Sequence, residues 1–102
     1  MAKEREQIII PNRLRWYREL KGLSQKDVAV ILRLNTTCMI SVWENDIVRP
    51  GVDWILKLSH LYSTVVEELF CDLSDLHREN IKTSVAQFQN DKETKKTFLD
   101  DS

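Results

Sequence analysis

Between Arg18 and Glu44 the chain holds two short apolar-periodic stretches with so few residues between them that the helices they form must pack as a close pair. The first opens at Gly22-Leu23-Ser24-Gln25-Lys26-Asp27-Val28-Ala29. Ser24 is a strong N-cap type, and Asp27 three residues on completes an Asp version of the reciprocal capping box. Val28, Ile31 and Leu32 follow at i, i+3, i+4, the spacing of one helix face. After Leu34 and Asn35 a second helix is expected over about 37–45, capped by Thr36. At roughly 100° per residue, Ile40, Trp43 and Ile47 share one side. Cys38, Val42 and Asn45 point the other way, with Ser41 beside them. An apolar side for packing and a small polar side left over is how a helix-turn-helix unit presents a reading face to a DNA major groove.

The wider pattern resembles a known family. Leu14, Arg15, Arg18, the run Gly22-Leu23-Ser24-Gln25, Ala29, Leu32, the run Ile40-Ser41-Val42-Trp43-Glu44, Pro50, Leu58, Leu61 and Glu68-Leu69-Phe70 are similar to the Cro/CI-type (XRE-like) helix-turn-helix domains of phage repressors and bacterial regulators. The resemblance covers about residues 12–70. It implies an all-α, five-helix bundle, dimeric on DNA, acting as a transcriptional regulator. Three departures stand out. Arg33 occupies a turn position that usually holds Gly, and five residues separate Leu34 from Ile40 where four is the common spacing. Asp46 likewise stands where a Gly often follows the second helix, a left-handed position that Asp tolerates.

Around that unit the chain divides into an N-terminal arm (1–11), the five-helix domain (12–70), a C-terminal helix (71–89) and a tail (90–102). Residues 1–7 are charged and expected to be mobile. Ile8 to Ile10 form an extended arm ending at Pro11, and Asn12 caps the first helix, which Gly22 stops. A fourth helix is expected over about 52–62, with Val52, Ile55, Leu56, Leu58 and Leu61 toward the core, and a short fifth over about 66–70. Ser74 would cap the C-terminal helix, whose apolar set is Leu76, Ile81, Val85 and Phe88. The charged tail lacks periodicity and is expected to be frayed.

Composition narrows the classes. Hydrophobic residues make up 42% and charged residues 30%, ordinary for a soluble globular chain. The apolar run Val28 to Leu32 is far too short for a bilayer span, and Ile8-Ile9-Ile10 is too short for a signal-peptide core. Cys38 and Cys71 make no metal or redox motif, so a cytoplasmic setting is expected, with no metal and no cofactor. No phosphate loop, His/Cys cluster or nucleophile motif marks an enzyme. Residues 1–34 carry eight Lys/Arg against four Asp/Glu, residues 35–69 two against five, and residues 70–102 five against seven, which gives the net charge of −1. Positive charge therefore gathers in the first two helices, where it can meet phosphates, while the reading helix has none.

The resemblance assigns roles residue by residue. Thr37, Cys38, Ser41 and Val42 match base-reading positions, where hydroxyls bond base edges and methyls meet thymine. Gln25 matches a phosphate-holding residue, and Lys26, Arg15, Arg33 and Asn45 are further candidates for backbone contact. Ordinary solvated surface is the alternative for each. Arg18 and Glu44 match an ion pair joining the first helix to the end of the third. Trp43 is expected in the core. Cys38 lies at a helix N-terminus, but nothing in the sequence places a resolving thiol beside it. Trp16 and Leu20 form a second apolar stripe on the first helix, which needs a cover. The C-terminal helix, through Leu76, Val85 and Phe88, is the candidate, from the same chain or from a mate. The partners expected are double-stranded DNA, a second copy, and a protein engaging the Trp16/Leu20 stripe or the C-terminal helix, with no membrane. Two other readings stay open: an interaction module on this fold that has lost DNA binding, and an antitoxin-like autorepressor whose acidic tail holds a toxin.

Overall fold

In the computed structural model, which describes residues 9–100, every regular element is an α-helix. The order is α1 (Leu14–Leu20), α2 (Gln25–Ile31), α3 (Cys38–Glu44), α4 (Val52–Leu61), α5 (Val66–Leu69) and α6 (Cys71–Asp100). α2 and α1 both pack on α3, α4 packs on α5, and α5 on the base of α6. The expectations for residues 1–8 and for residues 101 and 102 lie outside the described residues. No helix among those described is long and apolar enough to cross a membrane.

Local chemistry explains the helix ends. Gly22 stops α1 at φ 71°, a left-handed conformation that costs a residue without a Cβ nothing. Ser24 Oγ accepts the Asp27 N–H while Asp27 Oδ2 accepts the Ser24 N–H, so the capping box is complete. That backbone hydrogen bond holds the Asp27 carboxyl below the usual carboxylate range. Its capping contribution is therefore lost as pH falls through that lowered value. Thr36 Oγ1 accepts the Cys38 N–H at the start of α3.

Leu14, Val28, Ala29, Ile40, Trp43, Leu58, Tyr62, Leu69 and Phe70 make the core. Several expected core positions differ. Val52 and Leu56 are 72% and 49% exposed, because α4 is covered only along the Leu58 and Tyr62 side. Ile31 is exposed, and the smaller Ala29 takes the inward place on α2. Ile47 lies past the end of α3, where the helical phase no longer applies, and is half exposed.

The C-terminal region departs furthest from expectation. Ser74 is no cap: its N–H donates to the Phe70 carbonyl within a turn that begins at Cys71. Nor does the helix end at 89, since its backbone runs on through Asp100. Residues 71–100 contain neither Gly nor Pro, and Gln, Lys and Glu are good helix formers, so no stop signal interrupts the ladder. Every residue from 75 to 93 is exposed. α6 therefore does not cover Trp16 and Leu20 within this chain, and they stay 56% and 65% exposed.

Candidate nucleic-acid interface

α3 has only seven residues and no side-chain cap of its own N-cap residue, yet its C-terminal end is held from several directions. Arg18 on α1 reaches Glu44 with two bonds, Nε to Oε2 at 2.6 Å and Nη2 to Oε1 at 3.1 Å. Arg18 Nη1 donates to the Leu23 carbonyl at 3.0 Å, so one guanidinium joins α1, the following turn and α3. Gln25 Nε2 donates to the same Glu44 Oε1 at 3.1 Å, adding the start of α2. Both ion-pair side chains are largely buried, at 10% and 4% exposure. The Glu44 hydrogen bond raises the Arg18 pKa above its ordinary value, so the guanidinium stays charged at any working pH. Burial, then the Glu44 charge, push the neighbouring Tyr62 phenol up to about 12, which keeps it neutral.

Two further tethers come from residues with no functional role in the sequence reading. Asn12 Oδ1 accepts the Leu14 N–H at 3.0 Å, while its Nδ2 donates to the Trp43 carbonyl at 2.9 Å. One amide thus starts α1 and occupies a carbonyl left over at the end of α3. Asp46, in the left-handed region at φ 54°, is 2% exposed. Its Oδ2 accepts the Ile10 N–H at 2.9 Å, and Arg49 donates through Nε to Oδ1 at 3.1 Å and through Nη2 to Oδ2 at 3.3 Å. That carboxylate ties the N-terminal arm to the segment leaving α3. The sequence signal for Asp46 was its left-handed position alone, which says nothing of what its side chain reaches.

The expected reading residues differ in freedom. Cys38 is exposed, Thr37 and Ser41 are half-buried, and Val42 is half-buried and packed against the core. Val42 therefore offers only part of its side chain to a partner. Asn45 is exposed, and its Nδ2 donates back to the Ser41 carbonyl at 2.9 Å. Of the backbone candidates, Gln25 spends one of its two amide hydrogens on Glu44 and keeps the second. Arg15 lies against Glu19 at 3.3 Å, an exposed pair of little energetic weight. Lys26 and Arg33 are exposed. No group of three or more His, Cys, Asp or Glu able to hold a metal occurs among the described residues.

Arg33 sits at φ 61°, where a side chain with a Cβ is strained by about 1–2 kcal/mol. Arg33→Gly removes that strain but adds chain entropy to the unfolded state. The expected balance is a gain of about 0.5–1 kcal/mol, read as a higher midpoint in a denaturant melt. A lower midpoint would show that the Arg33 side chain makes stabilising contacts worth more than its strain.

Searches against protein-family models, curated proteins and solved structures find no significant match to this chain.

Proposed function

We propose that the chain is a sequence-specific DNA-binding transcriptional regulator, a repressor, that reads the major groove with α3 as a cytoplasmic homodimer and uses neither cofactor nor catalysis. The observation that supports this most is the tethering of α3. A seven-residue helix is too short to hold itself, and here side chains from α1, α2, the preceding arm and the following loop fix its end. The outward row of Thr37, Cys38 and Ser41 is small and polar, as a helix lying close to base edges requires. Gln25, Lys26, Arg15 and Arg33 supply phosphate donors from α1, α2 and the turn.

One observation favours the rival reading, an interaction module without DNA binding. α3 has no Lys or Arg, and residues 35–69 carry net negative charge. Phosphate neutralisation supplies much of DNA affinity, so binding rests on α1, α2 and the turn. An antitoxin-like autorepressor is the variant in which the same fold also holds a protein at its acidic C-terminal region.

Selection of bound duplexes from a random pool separates these readings, since enrichment of one motif supports DNA reading and a flat pool supports the rival. On a selected site, Gln25→Ala is expected to weaken all sequences alike. Thr37→Ala and Val42→Ala are expected to shift preference at one or two base pairs by roughly 1 kcal/mol each. Titrations on point variants of the site read this directly, and uniform losses would remove Thr37 and Val42 from base reading.

A further inference from the structure

α6 leaves the bundle as a helix exposed at every residue from 75 to 93, yet one of its faces is apolar. Ile81, Val85 and Phe88 are 62%, 46% and 65% exposed. A shallow groove lined by Arg78, Ile81, Lys82, Val85, Ala86 and Gln89 lies along one flank of this face. At 100° per residue, Ser74, His77, Val85 and Phe88 all fall within about 40° of Ile81, so a straight stripe runs along the helix. At its base the same face opens into a cleft of about 300 Å³, lined chiefly by Ile55, Val66, Phe70, Leu73, Ser74 and His77.

The spacing is symmetric. Ser74 in the cleft and Phe88 on the free end are each seven residues from Ile81, or about 10 Å along the axis. We propose that a second copy of this chain lays its α6 antiparallel on the first, about a two-fold axis beside Ile81, and seats its Phe88 in the first copy's cleft. The contact is self-complementary, because each copy gives one Phe88 and receives one. A parallel pairing brings like positions together and leaves both clefts unfilled, so the cleft selects the antiparallel form.

Size limits the dimer. The stripe from residue 74 to 88 is about 21 Å long, and at the ~10 Å width of a helix it covers roughly 210 Å² per copy. That is under half of the ~800 Å² per partner in a standard stable complex, so the dimer forms reversibly with concentration. The interface supplies the two-fold that the DNA-binding reading uses, but its test contains no DNA, so either can fail alone.

Sedimentation equilibrium of the full chain over a concentration series is expected to show a monomer–dimer equilibrium. Ile81→Asp and Phe88→Asp should each weaken it by roughly tenfold or more, with helicity by circular dichroism unchanged. Val30→Asp, exposed on α2 and lining neither the cleft nor the groove, should leave it unaltered. Orientation is read by disulfide trapping in chains carrying Cys38→Ser and Cys71→Ser. His77 and Ser84 lie on the same flank and face each other across the proposed axis. Chains with His77→Cys mixed with chains bearing Ser84→Cys should cross-link, and neither should do so alone. A monomer at all concentrations, or cross-linking of either chain alone, would overturn the proposal.

Discussion

Glu44→Ala is expected to destabilise the fold by about 3–5 kcal/mol, the cost of leaving a largely buried charge without its partner. Glu44 accepts from Arg18 Nε, Arg18 Nη2 and Gln25 Nε2, and its side chain is 4% exposed. Removing it leaves the Arg18 guanidinium with the Leu23 carbonyl as acceptor and without its paired charge. The loss should not depend on pH from neutral into the mildly alkaline range. Arg18 has a raised pKa, so its contribution is complete below the ordinary arginine value and fades only above the raised one. Arg18→Met combined with Glu44→Leu removes both charges and should recover much of the stability, because taking two ions out of water costs nearly what their attraction returns. The ion pair then acts chiefly in aiming α3. DNA affinity in the double variant should stay low even where its melting midpoint is restored. Denaturant melts of the two single variants and the double variant give the coupling energy. Additivity within about 0.3 kcal/mol would mean that the two side chains do not act as a pair.

Asp46→Ala is the second large effect, expected at about 2–4 kcal/mol from two sources. The Ile10 N–H and the Arg49 guanidinium lose their acceptor, and a Cβ remains at φ 54° without the polar side chain that makes this region tolerable. Two further variants separate these sources. Asp46→Gly relieves the backbone but not the lost acceptor. Asp46→Asn keeps a left-handed-tolerant residue with an oxygen for Ile10, and should cost only about 1 kcal/mol. The expected order of stability is Asp, Asn, Gly, Ala, measured by denaturant midpoints. Asn as damaging as Ala would show that the ion pair of the Asp46 carboxylate with Arg49, not the hydrogen bond to the arm, holds this corner.

The signals that the sequence carries openly are local ones. Ser24 and Asp27 announce a helix start because both bonds of the capping box close within four residues. Gly22 announces a stop for a similar reason, since its φ depends on its own missing Cβ. The Arg18–Glu44 contact spans 26 positions and was legible only through the family resemblance, with the phase of α1 in agreement. Asn12 was legible as a cap but not as a donor to Trp43, 31 positions away. Asp46 shows the limit most clearly: nothing in its neighbourhood distinguishes a buried carboxylate from a surface turn residue.

The sequence by itself determined an all-α chain, the ends of its first helices and the turn between α2 and α3. Those features rest on hydrogen bonds and dihedral preferences reaching at most one helical turn. Tertiary structure alone decided which apolar faces are covered. Val28 and Ile31 share the i, i+3 spacing of α2, yet one is 0% exposed and the other 49%, because packing falls on only part of that face. The same holds for Trp16, Leu20 and the α6 stripe, whose periodicity reads alike whether or not a partner lies against it. Burial is a property of two surfaces, and a sequence pattern describes only one of them.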